Sequence, residues 1–310
     1  MPSSDQYRTC KLCSSTKIEK LYFSRRLALP VFVCRECGLR FIGRVFSKAE
    51  QASFYQDSAA YADFAKAERE VPAARKRLTL LAKSLVDYLG GSSPTQSVQA
   101  RLLDAGCGAG DFLAVARELG FRVWGQEISA PAAKLAQDCH GLEVENRELE
   151  LIDRPGHFNA VTFIGVLEHV LDPRVTLTNL HRLMAPNGVL LIYTPVWGLY
   201  DHFFAFVARI SGGRLTRPID RRINTAHLQI FPRKTLLRAI EGLGMTILAS
   251  EEICEYNLPI DLYLESVGFT HPVLKNAVTR SVQFLIEKRL FFRNNIRLFA
   301  RRLEPEAAAA

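Results

Sequence analysis

The sequence predicts an α/β fold built on a doubly wound, largely parallel sheet, and three observations support this prediction. Short apolar segments alternate with segments of helical periodicity from residue 101 onward. A glycine-rich loop in "LLDAGCGAGDF", residues 102–112, joins one such apolar segment to the next helical pattern. The chain has 310 residues, of which 48% are hydrophobic and 23% are charged, so it can bury a full core. We therefore expect one principal globular domain with an appendage.

The elements follow from periodicity, caps and turn residues. A helix is predicted over 71–89, where apolar residues recur at helical spacing until Gly90-Gly91 ends the pattern. Ser129 and Asp172 are expected to cap two later helices, each with a proline in its first turn. The predicted strands cover 101–104, 122–127, 161–164, 189–193, 245–252 and 296–302. The other predicted helices cover 111–119, 129–141, 172–184, 232–243 and 279–290.

Four of the seven cysteines form two close pairs near the start of the chain, Cys10 with Cys13 and Cys34 with Cys37. Each pair fits a tight turn, and Gly38 supplies the conformational freedom that the second turn needs. In a reducing compartment, this spacing predicts a thiolate zinc site; the alternative, a redox C-x-x-C, usually occurs singly and opens a helix. We expect a zinc ribbon over 1–45 whose zinc is structural, because four thiolates leave no open coordination position.

Charge and hydropathy restrict the partners and the compartment. The net charge is +8, and eight basic residues but a single acid lie from Arg209 to Arg238. This stretch is either a solvated face or a surface that binds phosphate-bearing substrates, lipid head groups or RNA. The polar first residues do not resemble a secretory signal, and no run of eighteen apolar residues occurs. We expect a cytoplasmic protein without a transmembrane segment.

The glycine-rich loop predicts a nucleotide-like ligand. Gly106, Gly108 and Gly110 allow a sharp turn from strand to helix and let a ligand approach bare backbone. Amides at the start of the next helix then face a carboxylate or a phosphate. Glu127, at the end of the second strand of this domain, is placed to accept hydrogen bonds from both hydroxyls of a ribose. Dinucleotides and S-adenosylmethionine both carry a ribose, so these features alone leave the choice between them open.

Later segments remove this ambiguity. The chain resembles the class I S-adenosylmethionine-dependent methyltransferases, in the branch of the ubiquinone-pathway O-methyltransferases and of related enzymes from bacterial glycan and natural-product clusters. The matching segments are "DAGCGAG" at 104–110, Glu127, "FNAV" at 158–161, "VLEHV" at 166–170 with Asp172-Pro173, and "APNGVLLIYTP" at 185–195. The likeness covers about residues 70 to 250, and agreement at several spaced segments is more specific than a glycine loop alone.

The resemblance implies an architecture. The sheet would be Rossmann-like and seven-stranded, with an antiparallel last strand, and it would follow a small zinc ribbon such as many of the cluster enzymes carry. The ribbon would occupy 1–45, and a linker with N-terminal helices would occupy 46–95. The methyltransferase domain would occupy 96–310, with a substrate-covering insertion at about 197–232.

The resemblance also implies S-adenosylmethionine as the cofactor and assigns residues to it. Asp104 would approach the methionine end, and the glycines of the loop would make room for it. Glu127 would hold the ribose. The residues bordering the adenine would be Ile128, Glu148 and Leu149. The ubiquinone-pathway enzymes carry a metal-binding carboxylate three residues before the glutamate of the Leu-Glu-His run, and Gly165 stands there in this chain. The substitution argues against metal-assisted catalysis.

Two histidines are candidates for the base that removes a proton from an oxygen acceptor. His169 follows the fourth strand of the methyltransferase domain, and His227 lies in the insertion. The alternative for each is a structural role, which is the commoner one for histidine. After the fifth strand, two further interpretations stay open: either Tyr200, Asp201 and His202 line the acceptor pocket, or they flank a packed helix that contains Phe203, Phe204 and Phe206.

The expected function is methyl transfer to a hydroxyl of a saccharide or another small precursor. The basic residues flanking His227 would hold a phosphate of a nucleotide-linked or lipid-linked acceptor. These are Arg221, Arg222, Arg233 and Lys234. An RNA methyltransferase is the alternative, because some ribosomal RNA enzymes also join a zinc ribbon to this domain, although the motif for methylating base amines is absent here. A third interpretation is a catalytically silent interaction module.

Overall fold

The computed structural model describes residues 9–56, 72–90, 100–254, 260, 264–265, 271–288 and 293–304. The strands are β1 (Ile18–Ser24), β2 (Leu29–Cys34), β3 (Arg40–Ile42), β4 (Arg101–Ala105), β5 (Arg122–Gln126), β6 (Val144–Glu145), β7 (Phe158–Ile164), β8 (Met184–Pro195), β9 (Gln229–Ile230), β10 (Met245–Ile253) and β11 (Asn295–Arg302). The helices are α1 (Lys48–Tyr55), α2 (Pro72–Tyr88), α3 (Asp111–Glu118), α4 (Ala130–His140), α5 (Pro173–Leu183), α6 (Leu199–Ile210), α7 (Arg217–Asp220), α8 (Arg233–Glu241) and α9 (Pro272–Glu287).

The chain forms two compact units. The ribbon unit takes its residues from Met1–Arg44, Thr194–Leu236 and Glu251–Ile296. The sheet unit takes its residues from Val45–Tyr193, Leu237–Ser250 and Arg297–Ala310. The domain boundaries predicted from the sequence stay a prediction.

A seven-stranded sheet with the order β10-β11-β8-β7-β4-β5-β6 confirms the predicted fold class. Strand β4 lies inside the sheet and pairs in parallel with β5 on one side and with β7 on the other. Its residues Leu102 and Leu103 are fully buried, as expected for a parallel strand covered on both faces. From β4 the chain proceeds outward to β5 and β6, and it then returns to β7 and β8 on the opposite side. Ligands bind beyond the carboxyl ends of the strands at such a switch point.

Local signals place the helices around this sheet. The Ser129 hydroxyl accepts a hydrogen bond from the Ala132 amide at the start of α4, which ends at Gly141 with a positive φ of 60°. The Asp172 carboxylate caps α5 by accepting from the first amides of the helix. Both predicted caps are therefore confirmed. Helix α9 begins at Pro272, seven residues before the predicted start at 279, because proline at a first helical position is preset for the helix.

The ribbon unit contains a second sheet, of four strands in the order β1-β2-β3-β9. The first three strands are antiparallel neighbours along the chain. Strand β9 comes from the segment after β8 and pairs antiparallel with β3, Arg40 opposite Ile230. The cysteine-bearing segment and the segment predicted to cover the acceptor thus share one sheet. Among the described residues, no helix is long and apolar enough to cross a membrane.

Candidate functional site

The loop between β4 and α3 requires its glycines. Gly106, Gly108 and Gly110 have positive φ angles of 73°, 55° and 80°, a region that side chains with a Cβ rarely adopt. A Cβ on Gly106 would lie 2.6 Å from a methyl group of Val166, and one on Gly110 would lie 2.5 Å from a methyl group of Leu142. The loop therefore runs close to neighbouring segments at the carboxyl end of β4.

The end of β5 fixes this loop through hydrogen bonds. The amides of Gly106 and Cys107 both donate to the carbonyl of Gln126, at 2.7 and 2.9 Å. The amide of Gly108 donates to one carboxylate oxygen of Glu127 at 2.9 Å, and the amide of Ser129 donates to the other at 2.8 Å. Glu127 is only 7% exposed. Burial raises the pKa of this carboxyl, and the two amides oppose the rise because they stabilise its ionised form.

Asp104, at the end of β4, is a second buried carboxyl. It is 3% exposed and accepts a hydrogen bond of 2.6 Å from the Thr162 hydroxyl on β7. Burial raises the pKa of Asp104 to about 7, the hydroxyl lowers it, and the charge of Glu127 raises it further. Among the described residues, neither Asp104 nor Glu127 has a salt bridge. The negative charge of these two carboxyls is therefore not balanced by a described basic side chain, and a positively charged ligand would balance it.

The residues predicted to border an adenine lie beyond β5 and β6. The Asn146 side-chain amide donates to the carbonyls of Glu127 and Ile128 at 2.9 and 3.1 Å and so holds the chain after β5 in place. Glu148 immediately precedes a short 3₁₀ turn in which Leu149 is buried. Its carboxylate forms an ion pair with Lys48. These side chains follow the carboxyl ends of neighbouring strands in the sheet.

Helix α1 contacts this region, and the sequence analysis missed its role. Gln51 donates to the carbonyl of His169 at 2.9 Å, and the Ser129 hydroxyl donates to the carbonyl of Tyr55 at 2.6 Å. A sequence signal was present, because Ser47 and Glu50 form a capping box in which each side chain bonds the other's backbone amide. That signal predicts where a helix starts, but not what the helix contacts.

His169 follows β7 on a turn in which its amide donates to the carbonyl of Val166. Its ring is half-buried and lies edge-on to the ring of Tyr55, with 6.3 Å between centroids. The neighbouring Glu168 is buried. His169 therefore belongs to the sheet unit, as do all eight residues predicted to bind the cofactor.

His227 belongs to the ribbon unit. Its ring atom Nδ1 lies 3.1 Å from the carbonyl of Arg222, and its amide donates to the side chain of Asn224. Since a carbonyl only accepts, Nδ1 carries the proton, and the neutral ring has its basic lone pair on Nε2. This tautomer is the one that a base acting through Nε2 requires.

The structure corrects the prediction for Arg222. Its guanidinium pairs with the buried Asp201 at 2.9 Å and also donates to the carbonyls of Val196 and Asn294. Asp201 in turn accepts from the Gly198 amide at the start of α6. The two side chains thus hold the ribbon unit together, and Arg222 is not placed to hold a phosphate. Asp201 is likewise a structural residue and not part of a pocket wall.

The alternative of a packed phenylalanine helix is also wrong in part. Phe203 and Phe206 on α6 are exposed, whereas Phe204 is half-buried against Tyr200 at 4.6 Å between ring centroids. His202 lies edge-on to the buried Trp197, and burial lowers the pKa of His202.

The four predicted metal ligands come together. The sulfur atoms of Cys10, Cys13, Cys34 and Cys37 all lie within 4.8 Å of one another. Cys10 and Cys37 are separated by 3.6 Å, as are Cys13 and Cys34. Hydrogen bonding to Cys37 lowers the pKa of Cys10 to about 5. Zn–S bonds of about 2.3 Å in a tetrahedron imply S···S distances of about 3.8 Å, so the cluster is compatible with a zinc ribbon.

Comparisons with known proteins agree with this geometry. A family model described as a methyltransferase domain matches residues 73–250, which is more than half of the chain. A ubiquinone biosynthesis O-methyltransferase of Xanthomonas oryzae pv. oryzae is 33% identical over 128 residues, or 39% of this chain and 52% of that protein. The same enzyme of Rhodopseudomonas palustris is 37% identical over 158 residues, or 47% of this chain and 61% of that protein. The chain spans about half the length of these curated relatives.

A solved structure shows the same fold. It is that of the 1,6-didemethyltoxoflavin-N1-methyltransferase of Burkholderia thailandensis, with bound 1,6-didemethyltoxoflavin and S-adenosylhomocysteine. The TM-score is 0.50 at 16% sequence identity, and the match covers 86% of this chain and 95% of that one. At this identity the likeness concerns the fold, and function has to be argued from the site.

Proposed function

Since this chain belongs to the methyltransferase-domain family, we propose that it is an S-adenosylmethionine-dependent methyltransferase that acts on an oxygen of a small-molecule acceptor. The observation that carries the proposal is the hydrogen bond between the Glu127 carboxylate and the Gly108 amide. It joins the ribose-binding candidate at the end of β5 to the glycine loop at the end of β4. The O-methyltransferase relatives support oxygen as the acceptor atom.

The cofactor would lie along the carboxyl edge of β4, β5 and β6. Each carboxylate oxygen of Glu127 accepts one amide in the structure and has two lone pairs, so each can also accept from a ribose hydroxyl. The glycines of the loop allow the tight turn that would bring backbone amides toward a ligand. The proposed cofactor residues are Asp104, Gly106, Gly108, Gly110, Glu127, Ile128, Glu148 and Leu149. When bound, S-adenosylmethionine supplies a methyl group activated by its sulfonium sulfur.

Asp104 would face the positively charged end of this cofactor. A carboxyl with a pKa of about 7 is partly protonated at neutral pH, and a nearby cation shifts it toward the ionised form. Thr162 donates to Asp104 and holds one oxygen in place, which fixes the direction of the other. The role of Asp104 would thus be to orient the cofactor and to balance its charge.

The acceptor would be a hydroxyl-bearing molecule whose proton is removed as its oxygen attacks. His227 is one candidate base, because the Arg222 carbonyl fixes the tautomer with its lone pair on Nε2. His169 is the other, on the turn after β7, and its backbone is held by Gln51. The main contribution to rate in either case is alignment of the acceptor, which a rigid site provides.

A small molecule is favoured over RNA as the acceptor, because the curated relatives are enzymes of ubiquinone biosynthesis. Within this class we propose an anionic acceptor, such as a nucleotide-linked or lipid-phosphate-linked sugar. Arg222 has no part in this, since it is paired with Asp201. The proposal depends on the other three basic residues that flank His227, which are Arg221, Arg233 and Lys234.

We also propose that the four cysteines hold one zinc ion with a structural role. The fit rests on the S···S distances of the cluster and on the two turns that carry the ligands. Gly38 has a φ of 84° and donates its amide to the carbonyl of Cys34, as a tight metal-binding turn requires. The site would stabilise the β1–β3 region, because metal binding and folding are coupled in such ribbons.

Methyl transfer to candidate acceptors, followed by mass spectrometry, tests the proposed function. His227→Ala should lower kcat by roughly a hundredfold with little change in cofactor affinity if His227 is the base. His271→Ala is the matched control, since His271 is exposed at the start of α9 and should match the wild type. Loss of kcat in His169→Ala alone would assign the base to His169. A protein that methylates none of a broad set of hydroxyl compounds and does not bind S-adenosylmethionine would contradict the proposed function.

A further inference from the structure

Helix α6 exposes large apolar side chains along one face. Leu199 is 75% exposed, Phe203 59%, Phe206 60% and Ile210 67%. They are spaced by four, three and four residues, so they form a single stripe along the helix. Isolated exposed apolar residues are ordinary, but a contiguous apolar stripe marks an interaction surface.

The other face of α6 fixes this orientation. Asp201, Ala205 and Ala208 are buried on it, and the helix packs against β1. Asp201 also forms the ion pair with Arg222. Rotation of α6 to bury the apolar stripe would therefore expose this ion pair and the small inner face.

The turn after α6 adds a second restraint. Arg25 donates its amide to the carbonyl of Gly213 at 3.2 Å and its side chain to the carbonyl of Gly212 at 2.8 Å. A Cβ on Gly213 would lie 2.0 Å from the carbonyl oxygen of Phe23, so only glycine allows this approach. The hairpin of β1 and β2 thus holds the end of α6, and the stripe stays on the surface of the ribbon unit.

Positive charge lies at the carboxyl end of the stripe. Arg209 near the end of α6 is exposed, as are Arg214 and Arg217 in the segment that follows. Leu215, which is 63% exposed, lies between these two arginines. The adjacent acid, Asp220, is buried and pairs with Arg26, so it offsets little of this charge at the surface. The stripe is therefore apolar, with exposed basic residues at its carboxyl end.

We propose that α6 binds the surface of an anionic lipid bilayer. A helix of twelve residues is about 18 Å long, which suits it to lie in the plane of the interface, with its apolar side chains among the acyl chains. The arginines then meet the lipid phosphates. A second copy of this chain fits less well, because the two acids of residues 199–220, Asp201 and Asp220, are buried and paired and so could not meet the arginines of a partner. Nucleic acid would use the arginines but would leave the aliphatic members of the stripe, Leu199 and Ile210, in water.

This inference does not rest on the proposed methyl transfer, and its test needs no cofactor. Co-sedimentation with vesicles of phosphatidylglycerol and phosphatidylcholine is compared with vesicles of phosphatidylcholine alone. Wild-type protein should bind the mixed vesicles more strongly, and added salt should weaken binding. Phe203→Ser with Phe206→Ser should weaken binding at least about tenfold. Arg209→Glu with Arg214→Glu should abolish the preference for the anionic vesicles.

The matched control is Leu80→Ser with Val175→Ser, which removes two exposed apolar side chains from helices α2 and α5 of the sheet unit. This variant should bind vesicles like the wild type. Circular dichroism and Tm verify that every variant is folded. The proposal is overturned if wild-type protein binds neither kind of vesicle, or if the phenylalanine variant and the control bind equally. Light scattering that shows a dimer lost only in the phenylalanine variant, without vesicle binding, would assign the stripe to a second copy.

Discussion

The two units differ in what stabilises the charge of their buried carboxylates. In the ribbon unit, Asp201 pairs with Arg222 at 2.9 Å and Asp220 pairs with Arg26 at 3.0 Å. In the sheet unit, Asp104 and Glu127 are just as buried, but among the described residues they accept hydrogen bonds only from neutral groups. The acids without a salt bridge, Asp104 and Glu127, flank the glycine loop. The paired acids, Asp201 and Asp220, lie on helices α6 and α7.

The difference separates structural from functional charge. The attraction within a buried ion pair offsets part of the cost of desolvating its two charges, and removing one partner leaves the other charge uncompensated. Buried acids without a cation destabilise the protein unless a ligand supplies the missing charge, and such groups concentrate at binding sites. We therefore propose that Asp104 faces the positive end of a ligand whose hydroxyls Glu127 accepts, and we interpret Asp201 and Asp220 as residues that stabilise the fold.

The cysteine cluster extends the comparison to thiolates. Four sulfur atoms within 4.8 Å cannot all be ionised without a compensating cation. We propose that a cation from outside the chain balances the thiolates, and four thiolate ligands are typical of structural zinc.

Zinc removal should have the largest effect. Structural zinc sites in small peptides contribute on the order of 10 kcal/mol to folding, so metal-free protein should lose the β1–β3 structure. Elemental analysis should find about one zinc per chain, and Cys34→Ser should reduce it to a small fraction. Cys139→Ser, at an exposed cysteine outside the cluster, is the control. Zinc-free protein in which the amides of β1 and β2 stay protected from hydrogen exchange would show that no metal is needed.

Breaking the buried ion pair should have the next largest effect. Arg222→Met leaves Asp201 buried without its cation and should lower the free energy of unfolding by about 3–5 kcal/mol. Arg209→Met, at an exposed position, should change it by less than about 0.5 kcal/mol. Urea denaturation measures both. Adding Asp201→Asn to Arg222→Met should restore part of the lost stability. Equal losses of stability in Arg222→Met and Arg209→Met would refute the structural role of the Asp201–Arg222 pair.

Asp104→Asn should instead stabilise the ligand-free protein, and more so at high pH. The pKa of Asp104 is about 7 in the folded protein, against about 3.9 in an unfolded chain. Between these values the folded state holds a proton that the unfolded state has lost, so wild-type stability falls as pH rises through this window. The asparagine in the variant does not ionise, so the variant does not lose stability in this way as pH rises. Its advantage should grow from pH 5 to pH 8 and reach roughly 2–4 kcal/mol, and an advantage independent of pH would contradict the assignment.

Much of the sheet unit could be predicted from the sequence because its signals are local. Strands β4 and β7 are apolar runs buried on both faces, and the caps Ser129 and Asp172 act within three residues of their own position. The glycine loop was identifiable for the same reason. Its glycines are needed by local backbone geometry that does not depend on the rest of the chain.

The features that sequence reasoning missed depend on contacts distant in the chain. The two-residue strand β9 pairs with β3 from nearly two hundred residues away, and such a strand has no periodicity to detect. Gln51 reaches the carbonyl of His169, which no local pattern specifies. Arg222 looked like one more residue of a basic run, and only its distance to Asp201 shows that it is structural. Tertiary packing decided these three cases.

The most direct test of the central claim is calorimetric titration of S-adenosylmethionine into the wild type, Asp104→Asn and Glu127→Gln. If the unpaired carboxylates await a cationic ligand, the wild type binds, and its affinity increases as pH rises toward about 7 and Asp104 becomes ionised. Each variant should bind more weakly by about 1–3 kcal/mol, and Asp104→Asn should lose the pH dependence. The account is contradicted if the wild type does not bind S-adenosylmethionine, or if the more stable Asp104→Asn protein binds it with the affinity of the wild type at every pH.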